Sequence, residues 1–237
     1  MTENNTNPKL ILGYWGVGGA ATSIRMLLHY LKVEYENLFY ESMEEWVAKK
    51  SEYYQNPNTN LPNLPHLIDG DYFLTENAAI PFYICAKFNR LDLFGETPQE
   101  QGRIRQMESC IRDLYQHLAG PIWGPADKAK ETIEANLAEG KPANLLLNEI
   151  FKVIGDKQFI TGKFSYADLK VAHMLSYYRE IALNFGVKCP ICCNENVMNY
   201  LRGIRAMEEF KDFNGGENDP PLLHEMIIKG YKQYPLA

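Results

Sequence analysis

The run Leu10-Ile11-Leu12-Gly13-Tyr14-Trp15-Gly16-Val17-Gly18-Gly19 decides how the rest of this chain is read. It begins as an apolar segment rich in strand formers, breaks at glycines, and passes at once into a helical pattern. A strand ending in such a turn sets the Tyr14 hydroxyl beside backbone N–H groups at a helix N-terminus. Downstream, Ile24, Leu27, Leu28 and Leu31 fall at i, i+3, i+4 and i+7, an amphipathic helix. Aromatic-rich Tyr35–Tyr40 then reads as a second strand. Strand, helix, strand within about thirty residues predicts a βαβ unit with parallel strands.

Gly16-Val-Gly18-Gly-Ala-Ala21 also matches the G-x-G-x-x-A dinucleotide fingerprint, with Glu41 at a roughly suitable distance for a ribose contact. The doubly wound continuation is missing, which argues against a nucleotide. Instead residues 41–60 are polar and aperiodic, and predict a long loop holding a short helix around Trp46. Two prolines, Pro62 and Pro65, forbid a ladder before His66, and Leu64-Pro65 is a candidate cis turn. Asp69-Gly70 is a hairpin signal into Tyr72-Phe-Leu74. Thr75 is expected to cap the next helix, and Pro81, several residues inside it, to kink it.

This pattern gives a β-α-β, β-β-α domain over 9–90 behind a polar tail, 1–8. A linker is expected at 91–98, and an all-helical domain over 99–237. The clearest local signal in the second half is Phe164-Ser165-Tyr-Ala-Asp168-Leu169, a capping box with a hydrophobic staple. The helix it opens is apolar throughout and predicts a buried central helix. Asn214–Pro221 reads as a turn into a tail.

Bulk properties narrow the function. The chain has 237 residues, 46% hydrophobic and 23% charged, ordinary for a globular protein with a sizeable core. A net charge of −6 argues against nucleic acid or an anionic membrane as partner. The polar, acidic start is neither signal nor transit peptide, and no window approaches a membrane span. Five cysteines, an odd number, suit a reducing cytosol. Cys189-Pro-Ile-Cys192-Cys193 resembles a redox C-x-x-C, but no second ligand pair supports a metal, and incidental free thiols in a loop are the expectation.

With Leu-Gly-Tyr14-Trp15, Pro62-Asn63-Leu64-Pro65-His-Leu-Ile-Asp69-Gly70, Ala79-Ile80, Tyr83-Ile84, Gly95-Glu96-Thr97 and Ser165-x-x-Asp168 together, the sequence resembles the cytosolic glutathione transferases, most closely the Mu class. The resemblance covers nearly the whole chain beyond Lys9. It implies a thioredoxin-like N-terminal domain binding glutathione and an all-α C-terminal domain supplying a pocket for a hydrophobic electrophile. It further implies a cytoplasmic homodimer with no metal or cofactor, glutathione being co-substrate. Residue by residue, it implies that the Tyr14 hydroxyl stabilises the glutathione thiolate. Trp15 and Leu64 would line the tripeptide, whose cysteinyl part pairs with the Leu64 backbone across the turn at Pro65, and Asn63 would contact its backbone. Trp46 and Lys50 would hold the glycyl carboxylate, Glu76 and Asn77 the γ-glutamyl end together with Asp113 of the partner subunit, and Trp123 would line the electrophile pocket.

Some positions depart from the Mu pattern. Gly16 and Gly18 replace Asp and Arg, and Glu76 and Asn77 stand for Gln and Ser. Phe82 and Ala86 stand for interface arginines, and Leu61 for the aromatic that plugs the partner subunit. These substitutions motivate an alternative, a ligand-binding or scaffold subunit of the same fold with little turnover. A thiol–disulfide oxidoreductase using Cys189 and Cys192 is a third reading.

Overall fold

The computed structural model describes residues 9–213, 218–222 and 232. The chain divides after Asn89 into two compact units. One takes Met1–Asn89 with Asp212–Pro220, the other Arg90–Lys211 with Pro221–Ala237. The expected tail at 1–8 and most of the turn at 214–221 lie outside the described residues.

The first unit is built on β1 (Leu10–Trp15), α1 (Thr22–Tyr30), β2 (Tyr35–Tyr40), α2 (Met43–Gln55), β3 (His66–Asp69), β4 (Tyr72–Thr75) and α3 (Ala79–Lys87). The strands form one sheet in the order β2-β1-β3-β4. β1 runs parallel to β2, with Tyr14 opposite Phe39, while β3 runs antiparallel to both β1 and β4. The sheet is therefore the βαβ-ββα arrangement, and its mixed direction excludes the doubly wound fold.

Gly13 pairs with His66 across β1 and β3. A Cβ on Gly13 would lie 2.2 Å from the His66 ring, so only glycine lets the imidazole lie on β1. Above it, Tyr40, Trp46, Tyr53 and Phe73 form a buried aromatic layer, with Trp15, Leu38, Leu64 and Ile68 packed against it. His66 stacks on Phe73 at 5.0 Å and on Trp46 at 6.1 Å, and its Nε2 lies 3.4 Å from the Tyr53 hydroxyl. Burial among these rings lowers the imidazole pKa to about 4, although a backbone hydrogen bond at Asn63 acts the other way.

Three local expectations are corrected. The 41–60 stretch holds a full helix, α2, rather than a short one. Ser42 Oγ caps the Glu45 N–H at 3.1 Å, and the Glu45 carboxylate accepts from the Glu41 N–H at 2.8 Å. Thr75 does not cap α3; it ends β4 and donates its hydroxyl to the Leu61 carbonyl at 3.1 Å. Pro81 stands third in α3, inside the first turn, where no intrahelical N–H bond is lost and no kink is required. The Leu64-Pro65 bond is cis, as its sequence suggested.

The second unit holds α4 (Pro98–Leu118), α5 (Ala126–Leu137), α6 (Pro142–Ile154), α7 (Tyr166–Phe185) and α8 (Glu195–Arg205), with a 3-10 turn at Gly120–Trp123 between α4 and α5. α7 is buried along most of its length, as its composition implied. Its Ser165–Asp168 capping box is closed, and the Asp168 carboxylate also accepts from the Ile160 N–H at 2.8 Å and the Tyr200 hydroxyl at 3.0 Å. Residues 91–98 fold into this unit: Leu91–Phe94 form a 3-10 turn whose Phe94 ring stacks on Tyr166 at 5.2 Å. The expected free thiols at 189 and 192 are not found, because Cys189 and Cys192 are disulfide-bonded; Cys85, Cys110 and Cys193 are the free cysteines. No helix among the described residues is long and apolar enough to cross a membrane.

Gly13→Ala is expected to cost about 2 kcal/mol or more, read as a lower urea midpoint, since the new methyl must displace the His66 ring. Stability is also expected to fall as the pH is lowered. The unfolded His66 protonates near 6.5 but the folded one only near 4, so this contribution is full above pH 6.5 and lost between 6.5 and 4. The full loss is roughly 3 kcal/mol. Urea melts at several pH values check this, and a His66→Gln variant should lack that part of the slope.

Candidate active site

Tyr14 stands near the end of β1 with its ring buried and only 6% exposed. Its hydroxyl accepts the Ala20 N–H at 3.0 Å. The Ala20 carbonyl in turn accepts from the Asn77 side-chain amide just before α3. The backbone of one residue, Ala20, thus ties the strand end to the chain entering α3. Gly19, at φ +40°, makes the tie possible, because a Cβ there would meet the Tyr14 hydroxyl at 2.8 Å.

The glycine turn is held from below by Arg25, whose side chain is wholly buried on α1. Its Nη1 donates to the Val17 carbonyl at 2.9 Å and approaches the Gly18 carbonyl at 3.4 Å, and its Nε donates to Asn37 Oδ1 at 3.0 Å. Burial lowers the guanidinium pKa to about 10, with Tyr35, Tyr14 and Asp219 acting the other way, so the group stays charged at neutral pH. Asn37 also donates to Asn218 Oδ1 at 2.7 Å, and His29 packs on Phe213 at 5.2 Å. The returning segment is thereby fastened to the first unit.

Several other candidate residues gather at the same sheet edge. Asn63 is exposed and its amide approaches the Glu76 carboxylate at 3.4 Å, with Glu76 in a left-handed conformation at φ +78°. Leu64 and Pro65 form the cis turn between them and β3, Leu64 resting on the aromatic layer beside Trp15. Trp46 lies inside that layer at 6% exposure, edge-on to Tyr40 at 5.1 Å. Lys50, one turn further along α2, holds its ammonium 5.7 Å from the Trp46 ring centre.

Asp113 and Trp123 belong to the second unit. Asp113 is exposed on α4, 4.0 Å from Arg112. Trp123 is 47% exposed and donates its indole N–H to the Tyr115 hydroxyl at 3.0 Å. Burial raises the Tyr115 pKa, and the Trp123 bond opposes that shift. Glu41, the ribose candidate of the rejected fingerprint, instead sets its carboxylate 3.0 Å from where a Gly16 Cβ would stand. Among the described residues no cluster of His, Cys, Asp and Glu could hold a metal ion.

Arg25, Gly19 and the Ala20 peptide were not singled out in the sequence. An arginine between Ile24 and Met26 in the helix, six residues beyond Gly19 at the end of the glycine turn, was the available signal.

Comparison with known proteins shows the family of the chain. Residues 11–86 match the model of the glutathione S-transferase N-terminal domain. The chain is 33% identical to the class-mu 26 kDa isozyme 51 of Fasciola hepatica, over 95% of its own length and 91% of the relative's. It is 31% identical to human glutathione S-transferase Mu 1, over 94% and 99%. Among solved structures, rat hPGDS complexed with a quinoline superposes with a TM-score of 0.71 at 20% identity, covering 87% of this chain and 96% of that one. The glutathione S-transferase Blo t 8 gives 0.69 at 24%, covering 92% and 98%. The fold is that of a thioredoxin-like domain followed by a helical domain. The chain belongs to the glutathione S-transferase family, and the relatives it resembles in sequence are of the Mu class.

Gly19→Ala is expected to cost roughly 1–3 kcal/mol and to push the Tyr14 ring off its Ala20 partner. A thermal melt reads the first effect, and the ring's altered position in a crystal structure of the variant reads the second.

Proposed function

We propose that this protein conjugates the thiolate of glutathione to hydrophobic electrophiles, with the Tyr14 hydroxyl as hydrogen-bond donor to the sulfur. The observation that carries this reading is the placement of that hydroxyl, fixed through Ala20 beside the Asn63–Pro65 turn and the Glu76-Asn77 corner. Accepting from Ala20 engages an oxygen lone pair, and the phenolic proton is the group a thiolate requires. A free thiol with pKa near 8.5 is only a few per cent ionised at neutral pH, so a donor aimed at the sulfur raises the reactive fraction.

In this reading residues 9–90 bind the tripeptide. Trp15 and Leu64 lie along it, the Leu64 backbone before Pro65 pairs with the cysteinyl part, and Asn63 contacts its backbone. Glu76 and Asn77 meet the γ-glutamyl end, joined by Asp113 of the partner subunit in a homodimer. Trp46 and Lys50 hold the glycyl carboxylate, Lys50 through its charge. Residues 99–237 supply the apolar pocket for the electrophile, with Trp123 offering ring area and Tyr115 a polar tip. Much of the acceleration comes from holding the two substrates together. The reaction needs no metal or further cofactor, and the protein works in the cytoplasm.

Tyr14→Phe keeps the ring and removes the donor. It is expected to lower kcat/KM for conjugation to a chlorodinitrobenzene by roughly 10- to 100-fold while retention on immobilised glutathione persists. An unchanged rate would remove Tyr14 from the chemistry. Retention with negligible turnover in the wild type would identify a binding subunit instead.

A further inference from the structure

The second unit carries a feature that conjugation does not use. A cavity of about 560 Å³ lies between the C-terminal end of α5, α6 and the loop that leads into α8. That volume is in the range of small-molecule sites. Its wall mixes apolar Leu137 and Phe151 with the amides of Asn144 and Asn148, the ammonium of Lys188 and the carboxylates of Glu134 and Glu139. Pro190 and Cys193 also line it, and between them in sequence stands Cys192, exposed and disulfide-bonded to Cys189.

We propose that the Cys189–Cys192 disulfide is a second reactive centre, exchanging with low-molecular-weight thiols that dock in this cavity. The two sulfurs are unequal. Cys189 is 7% exposed and faces a small apolar void with Leu118, Ile133 and Ile181, whereas Cys192 is open to solvent. An incoming thiolate therefore reaches Cys192. The new bond joins its sulfur to Cys192 Sγ, the Cys189–Cys192 bond breaks, and the electron pair leaves on Cys189 Sγ as a thiolate. The Cys192 backbone N–H already points at that atom, 3.2 Å away, and stabilises the departing charge. A second thiolate then attacks the sulfur of the first, releasing a small-molecule disulfide and leaving the protein dithiol. The dithiol reduces a substrate disulfide and returns to its starting state. In sum two thiols are oxidised to one disulfide while another disulfide becomes two thiols. The amides suit a co-reactant with peptide groups, and Lys188 beside Glu134 and Glu139 suits one that carries both carboxylate and ammonium groups. This centre is independent of Tyr14.

The test uses the full-length oxidised protein with reduced glutathione as probe, quenched with N-ethylmaleimide and mapped by peptide mass spectrometry. The proposal expects glutathione on Cys192 and maleimide on Cys189. It also expects reduction of hydroxyethyl disulfide to fall roughly tenfold or more in Cys192→Ser and to be unchanged in Cys110→Ser, which alters a cysteine on α4. Mixed disulfide confined to Cys193 with the 189–192 pair intact would overturn it, as would an undiminished rate in Cys192→Ser.

Discussion

The backbone of Ala20 is the constraint on which the site depends. Its N–H is committed to the Tyr14 hydroxyl and its carbonyl to Asn77, so the two peptide planes that meet at its Cα space two parts of the first unit that are 63 residues apart in sequence. Each bond contributes only about 1 kcal/mol net, but leaving a buried partner unmet costs about 1–3 kcal/mol, so the arrangement holds together as a set. Arg25 extends that set inward. It meets the Val17 carbonyl, adds to the two backbone N–H groups already on the Gly18 carbonyl, and through Asn37 links the turn to the returning segment at Asn218. Its Nε and Nη1 find fixed acceptors, which offsets part of the cost of burying the guanidinium, while its Nη2 is buried with no hydrogen-bond partner among the described residues.

Beneath the turn, the His66 ring on Gly13 performs a second service. It lets β1 and β3 close to pairing distance and fills the space under the aromatic layer. α2 is held to the sheet through Trp46 and Tyr53 in that same layer. The rings that frame the turn at Leu64-Pro65 are therefore also the core of the unit, and the sheet edge inherits its rigidity.

The fold was legible where a pattern had one physical meaning. The apolar run at Leu10, the Pro62/Pro65 exclusion before His66, the Asp69-Gly70 hairpin and the Ser165–Asp168 box each read correctly, because each is a local stereochemical demand. The errors arose where one residue type serves two geometries. Thr75 has the chemistry of a cap, but tertiary structure offered its hydroxyl the Leu61 carbonyl first. Pro81 breaks helices only beyond their first turn. α2 was hidden because most of its surface is polar, with only Trp46 and Tyr53 buried, although Ser42-x-x-Glu45 marked its start. Positions such as Gly19 and Arg25 were invisible for a different reason. Their importance lies in atoms brought together by folding, which neither periodicity nor composition encodes. The pairing of Cys189 with Cys192 was likewise undecided by spacing alone.

The central claim is that a fixed phenol hydroxyl stabilises the thiolate of bound glutathione. It is tested most directly by titrating that thiol in the binary complex, following thiolate absorbance in the ultraviolet. The account predicts a pKa well below the free-thiol value in the wild-type protein and a return towards it in Tyr14→Phe, with glutathione still bound. The same pKa in both proteins would contradict it.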